Sequence, residues 1–215
     1  MKKEFKKRIF SSLFIVPIAL FFILYGSVFY LFFLGILFLV TSYEWIKMLK
    51  KKQLIKILGL IFLSLSFYSA YQLRNFTELK VGLNSFENNQ VFLFIILICI
   101  FTDIGGYIFG NIIKGKKLTT ISPNKTYAGM FGSFISSLII CTLFIIYFGF
   151  SINFIFFTLL ISLVSQVGDL FISYLKRKAN IKDTGNFLPG HGGLLDRLDG
   201  IIFAIPLGIK IFIFF

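Results

Sequence analysis

Apolar residues run along this chain in blocks long enough to cross a lipid bilayer, and short basic or glycine-rich segments separate the blocks. About 20 apolar residues span the hydrocarbon core of a membrane. Residues 9–46 are apolar almost without a break, too long for one crossing, and Gly26 is the natural turn. The pattern therefore predicts helices over 9–25 and 27–45, with Glu44 and Trp45 marking a membrane interface. Further spans are predicted at 55–72, 91–113, 127–149, 152–175 and 201–215, and the stretch from Arg74 to Gln90 holds no apolar run. The predicted fold is all-α: a polytopic integral membrane helical bundle of about seven transmembrane helices. No repeat or linker divides residues 1–215, so one domain is expected.

Charge orients this bundle. Of the 22 Lys and Arg residues, all but Arg74, Lys80 and Lys210 fall in four clusters: before the first span, at 47–56, at 114–125 and at 176–197. With seven spans every cluster lands on one face, which the positive-inside rule makes cytoplasmic, together with the N-terminus. The net charge of +13 would suit nucleic acid in a soluble protein. Here the charges sit between apolar runs, and no nucleic-acid partner is expected. The start, Met-Lys-Lys-Glu-Phe-Lys-Lys-Arg, resembles a signal-peptide n-region. The apolar stretch after it is too long and lacks a cleavage site, so an uncleaved first span is expected.

Composition adds little to this picture. The chain has 215 residues, 57% hydrophobic, with 31 phenylalanines. Cys99 and Cys141 both lie in apolar runs with no metal-ligand spacing around them, as buried small hydrophobes do.

The segment from Ser173 to Asp199 breaks the pattern, being polar, glycine-rich and of both charge signs between two apolar runs. Asp169 lies just ahead of it, and a carboxylate in an apolar helix is costly enough to point to function. Ser173 and Lys176 follow at i+4 and i+7 on the same helical face. A charge pair snorkelling at the helix end is the other reading. Asp196 and Asp199 are spaced i, i+3, and carboxylates converging from different helices suit a magnesium ion. Acidic first-turn residues of the next helix would look the same. His191 is the only histidine, and Gly190, Gly192 and Gly193 beside it let backbone N–H groups approach a phosphate. Asp183 either joins the site or pairs with Lys182 or Lys178.

Upstream, Asp103 falls near the middle of a span, with Tyr107 and Gly110 on its face, and it requires a partner or a polar cavity. Gly106 and Gly110 form a small-xxx-small pair that permits close helix approach. The turn Ser122-Pro123-Asn124-Lys125-Thr126 offers hydroxyls, an amide and a lysine suited to nucleotide phosphates or sugar, although Thr126 would equally serve as a helix N-cap.

Together these residues resemble the phosphatidate cytidylyltransferase (CDP-diacylglycerol synthase) family. Its signature, Ser-x-x-Lys-Arg, four residues, Lys-Asp-x-Gly, a Pro-Gly-His-Gly-Gly core and Asp-Arg-x-Asp, stands here as Ser173, Lys176, Arg177, Lys182, Asp183, Gly185, Pro189–Gly193, Asp196, Arg197 and Asp199. The resemblance is strong over residues 100–205 and only hydropathic before them. Ala128 stands where the family usually carries an acidic residue, and the N-terminal half is shorter than is typical. The resemblance implies CTP + phosphatidate → CDP-diacylglycerol + pyrophosphate, at a bacterial inner cell membrane, with Mg²⁺ as cofactor and a homodimer as the assembly. It implies that Asp169 and Asp196 ligate magnesium with Asp199 nearby. Ser173, Lys176 and Arg177 would hold phosphates, and His191 with Gly192 and Gly193 would contact phosphate at the mouth. Asp103 with Ser122, Asn124, Lys125 and Thr126 would shape the nucleotide side, and Lys182, Asp183 and Arg197 complete the substrate-binding set. Two other classes share some of these features: a CTP-dependent polyprenol or dolichol-type lipid kinase, whose product would be CDP, and an ion-coupled transporter, since intramembrane carboxylates also mark ion paths.

Overall fold

The computed structural model describes residues 17–49, 52–75, 88–119, 122, 125–187 and 192–214. The described chain is helical: α1 at residues 17–25, α2 Ser27–Met48, α3 Gln53–Asn75, α4 Asn88–Ile112, α5 Tyr127–Phe148, α6 Phe154–Lys178, the single turn α7 Leu195–Leu198, and α8 Ile201–Phe214. Five of these, α2 to α6, are long and apolar enough to cross a membrane. The protein is a polytopic membrane helical bundle. The last apolar run, expected as a full span, forms a helix of 14 residues, about 21 Å at 1.5 Å per residue. Of the first expected span, only residues 17–25 are described.

Gly26 does break the long N-terminal apolar run. Its φ of 70° lies in the left-handed region, between α1 and α2. Arg74, expected in a loop on the far face, instead lies in the last turn of α3. There it donates from Nε to the Ile23 carbonyl at 2.8 Å and from Nη2 to the Leu24 carbonyl at 3.3 Å. The physical reason is the orphan carbonyls at the C-terminal end of α1, which a guanidinium satisfies.

Small residues set the closest packing. The α4–α5 pair is the most intimate in the bundle. The Gly106 and Gly110 face meets Gly129, and a Cβ on Gly129 would stand 2.7 Å from the Gly106 carbonyl oxygen. Ser133 Oγ donates to the Thr102 carbonyl (2.7 Å), and Thr102 Oγ1 donates to Ser162 Oγ (2.9 Å), stitching α5 to α4 and α4 to α6. In α8, Pro206 has no N–H to give the Ile202 carbonyl. Ser66 of α3 supplies the missing donor at 2.7 Å. This meets the requirement that backbone groups in lipid find protein partners. Phe94, Phe144, Phe150, Phe154 and Phe212 interlock in edge and tilted ring contacts, filling one part of the core. Cys99 and Cys141 are buried free thiols.

Glu44 and Trp45, expected to mark a membrane interface, are buried inside the protein, 3% and 4% exposed. Trp45 packs on Gly59, where a Cβ would stand 2.0 Å from the ring, and its Nε1 donates to the Lys56 carbonyl at 3.2 Å. Glu44 is buried because backbone donors meet its carboxylate, as described below.

Candidate active site

A cavity of about 430 Å³ opens among α4, α5, α6, Asp183 and residues 196–199. Asp103 of α4 and Asp169 of α6 line it, with Asp196, Arg197 and Asp199 from the turn before α8. Lys125 comes from the 114–126 loop, which a two-residue antiparallel pairing closes: Leu118 N–H donates to the Lys125 carbonyl at 2.8 Å and Tyr127 N–H to the Lys116 carbonyl at 3.2 Å. That pairing delivers the Lys125 ammonium onto Asp169, where the two form an ion pair. Ser173 Oγ donates to the other oxygen of Asp169 at 3.3 Å, so the expected i, i+4 relation holds. Thr126 is the N-cap of α5 and accepts from Gly129 N–H at 3.1 Å, while still lining the cavity. Ser122 lines it too.

Asp199 is 8% exposed, accepts from the Gly200 N–H at 3.0 Å, and shares the cavity with Asp169. Burial, and then the neighbouring carboxylates of Asp169 and Asp103, push its carboxyl well above the usual carboxylate range, against the pull of Lys176. An acid whose folded pKa is raised holds its proton longer in the native state than in the unfolded chain. Stability is therefore full below the unfolded value, about 3.9, and falls as pH rises through the folded pKa. Asp199→Asn should accordingly melt a few degrees above the parent at pH 7.5 in chelator-treated detergent solution. The gap should close on acidification. A melting temperature equal to the parent's at both pH values would show that Asp199 is not under this repulsion.

Asp196 has a different environment. Its Oδ1 takes the Lys176 ammonium at 2.6 Å, and its Oδ2 accepts from Thr184 N–H at 2.8 Å, Gly193 N–H at 3.0 Å and lies 3.1 Å from Thr184 Oγ1. Lys176 is 9% exposed and reaches the cavity. Thr184 in turn meets Glu44 of α2, with Oγ1 to Oε2 at 3.0 Å. Glu44 also accepts from Leu194 N–H at 3.0 Å and Leu195 N–H at 2.8 Å.

The sequence-predicted set is thus partly gathered. Asp103, Ser122, Lys125, Thr126, Asp169, Lys176, Asp183, Asp196, Arg197 and Asp199 share one cavity. Ser173 touches it through Asp169. Gly192, at φ 84°, and Gly193 pack under Asp196, where a Gly192 Cβ would stand 3.1 Å from its Oδ2. Arg177 and Lys182 stand exposed outside the cavity lining, with Arg177 Nη1 donating to the Ile181 carbonyl at 3.4 Å. His191 and Asn124 lie outside the described residues. Sequence reasoning missed Glu44 and Thr184. The signal for Glu44 was present: a lone acid ending a long apolar run.

Among the described residues no three acidic, histidine or cysteine side chains are grouped as ready ligands for one metal ion. A magnesium ion takes one or two carboxylates, the remaining positions going to water and substrate phosphate. Asp169 and Asp199, two carboxylates lining one cavity, fit that requirement.

Comparison with known proteins adds to this geometry. Residues 61–215 match the family described as the cytidylyltransferase family. A phosphatidate cytidylyltransferase of Staphylococcus saprophyticus is 42% identical over 125 residues, covering 56% of this chain and 48% of its own length. One from Staphylococcus epidermidis is 35% identical over 181 residues, covering 76% of this chain and 70% of its own. One from Staphylococcus aureus is 42% identical over 125 residues, covering 56% and 48%. The chain spans about half the length of several of the curated relatives it matches.

Proposed function

The chain belongs to the cytidylyltransferase family, and on that premise we propose that it joins CTP and phosphatidate to give CDP-diacylglycerol and pyrophosphate. The observation that carries this reading is the convergence of Asp103, Asp169 and Asp199 with Lys125 and Lys176 in one cavity. The names of the curated relatives favour cytidylyl transfer over a lipid kinase or a transporter.

The chemistry suits these groups. A phosphatidate oxygen attacks the α-phosphorus of CTP, a P–O bond forms, and the bond from that phosphorus to the bridging oxygen breaks to release pyrophosphate. The attacking phosphate has a second pKa of about 6 and is mostly dianionic at neutral pH, so no strong base is required. What must be overcome is repulsion between two anions, and fixed positive charge aimed at the reacting phosphates does that. Lys176 and Lys125 supply it. Asp196 holds the Lys176 ammonium by its Oδ1. Asp169 and Asp199 would hold magnesium; Asp196, expected as a ligand, instead has both oxygens engaged by Lys176 and the Thr184 and Gly193 N–H groups. The ion, when bound, supplies charge neutralisation at the phosphates. Arg197 and Asp103 would line the nucleotide side, with Ser122 and Thr126. The basic clusters along the sequence, which seven spans would bring to one face, support a cytoplasmic cavity and N-terminus in a cell membrane, with the homodimer that the resemblance implies.

The test is purified protein in detergent with CTP, magnesium and phosphatidate, following pyrophosphate and CDP-diacylglycerol together. Both products should appear in equal amounts and only when all three are present. CDP in place of pyrophosphate, or no product across several phosphatidates, would overturn the reading.

A further inference from the structure

Glu44 has no place in the chemistry above, yet it is among the most completely engaged side chains near the site. It comes from α2, outside the matched residues 61–215. At 3% exposure its carboxylate would be expensive without partners. It has three: the N–H groups of Leu194 and Leu195 and the Thr184 hydroxyl. The signature segment is shaped to receive it. A Cβ on Gly185 would stand 2.5 Å from Glu44 Oε1, and one on Gly193 2.6 Å from Oε2. These two glycines therefore leave room for a carboxylate. The Gly193 N–H, expected to face phosphate, is already donated to Asp196.

The contacts continue from there to the cavity. Thr184 links Glu44 to Asp196: its one hydroxyl proton serves Glu44 Oε2, its Oγ1 lies 3.1 Å from Asp196 Oδ2, and its N–H donates to Asp196. Asp196 holds the Lys176 ammonium. A lysine is a point charge on a flexible four-carbon stem, so its placement depends on what fixes it. Apolar contacts would have held α2 to this segment without burying a charge. A carboxylate with three directed hydrogen bonds fixes the register of 184 and 194–195 against α2, which mere adhesion does not.

We propose that Glu44 is a positioning residue: by clamping Thr184 and the 194–195 backbone to α2 it sets Asp196, and through Asp196 it places the Lys176 ammonium in the cavity. The inference rests on the cytidylyl-transfer reading. Glu44→Gln tests it, because the amide keeps the shape but offers one acceptor oxygen. Its NH₂ then faces an N–H or the Thr184 hydroxyl. kcat/KM should fall about 10–100-fold, the range seen when partners behind a working group are removed. The KM for CTP or phosphatidate should rise, since a displaced ammonium binds its anion less well. Trypsin should also cut the substrate-free variant faster than the parent after Lys178 or Lys182, reading the freed segment directly. Thr184→Val breaks the same chain while sparing both backbone bonds. It should give a smaller KM effect that does not add to that of Glu44→Gln, and Thr184→Ser should restore parent behaviour. If Glu44→Gln does not fold, the Thr184 pair carries the test.

A fall in kcat with both KM values and the cleavage rate unchanged would mean only a loss of folded protein, and would overturn the proposal, as would parent-like kinetics. Parent protein that makes no CDP-diacylglycerol would overturn the reaction and with it the catalytic part of this role. The tryptic rate would still decide whether the clamp exists.

Discussion

Asp169→Asn should lower turnover by about 10³-fold while leaving the fold intact, on the scale of losing one preorganised electrostatic group. The substitution keeps the shape of the side chain and one acceptor for the Ser173 hydroxyl. It removes the charge that holds Lys125 and crowds Asp199. In the proposed reaction that charge is needed twice, once as half of the carboxylate pair for magnesium and once to keep Lys125 at the phosphates. The loss corresponds to about 4 kcal/mol of transition-state stabilisation. Thermal melting of the variant should match or exceed the parent, since repulsion among Asp103, Asp169 and Asp199 is relieved. Activity within tenfold of the parent would remove Asp169 from the site's working groups.

Lys176→Met should cost about 10²–10³-fold in kcat/KM and, unlike the first change, should also destabilise the protein. The Lys176–Asp196 pair is buried, with side-chain exposures of 11% and 7%. Removing one partner of such a pair leaves an uncompensated charge, typically a loss of about 3 kcal/mol or more. The double variant Lys176→Met, Asp196→Asn separates the two effects. It should regain most of the melting temperature, because no lone charge remains, and should stay inactive, because the ammonium is gone. Recovery of activity in the double variant would show that Lys176 only balances Asp196. Lys176→Arg is not a conservative control, since a planar fork does not reproduce a compact ammonium in a fixed acceptor set.

Both predictions concern residues that the sequence by itself singles out. Asp169, Lys176, Asp196 and Asp199 stand out because charge among apolar runs is costly, and sequence alone reports that cost. The helices were legible for the same reason: bilayer thickness fixes run length, and the break at Gly26 and the spans α2 to α6 follow. The close α4–α5 approach at Gly106 and Gly110 was legible as spacing.

What the sequence could not express was which partner each charge takes. Asp196 and Asp199 are three residues apart, yet one is committed to Lys176 and the Thr184 and Gly193 amides, while the other faces Asp169. Asp199 keeps the right-handed helical conformation of α7, at φ −57° and ψ −35°, so helical spacing does bring both acids to one cavity, but spacing does not choose their partners. Arg74 looked like a loop charge until the carbonyls closing α1 claimed it. Glu44 looked interfacial because the donors that bury it lie about 140 to 150 residues away in the chain. Hydropathy and spacing are local quantities, so composition and periodicity determined the membrane bundle and nominated its charged residues. Long-range hydrogen bonding depends on how α2, α6 and the turn before α8 meet, and only the tertiary structure decided which nominated charges line the cavity and which hold it together.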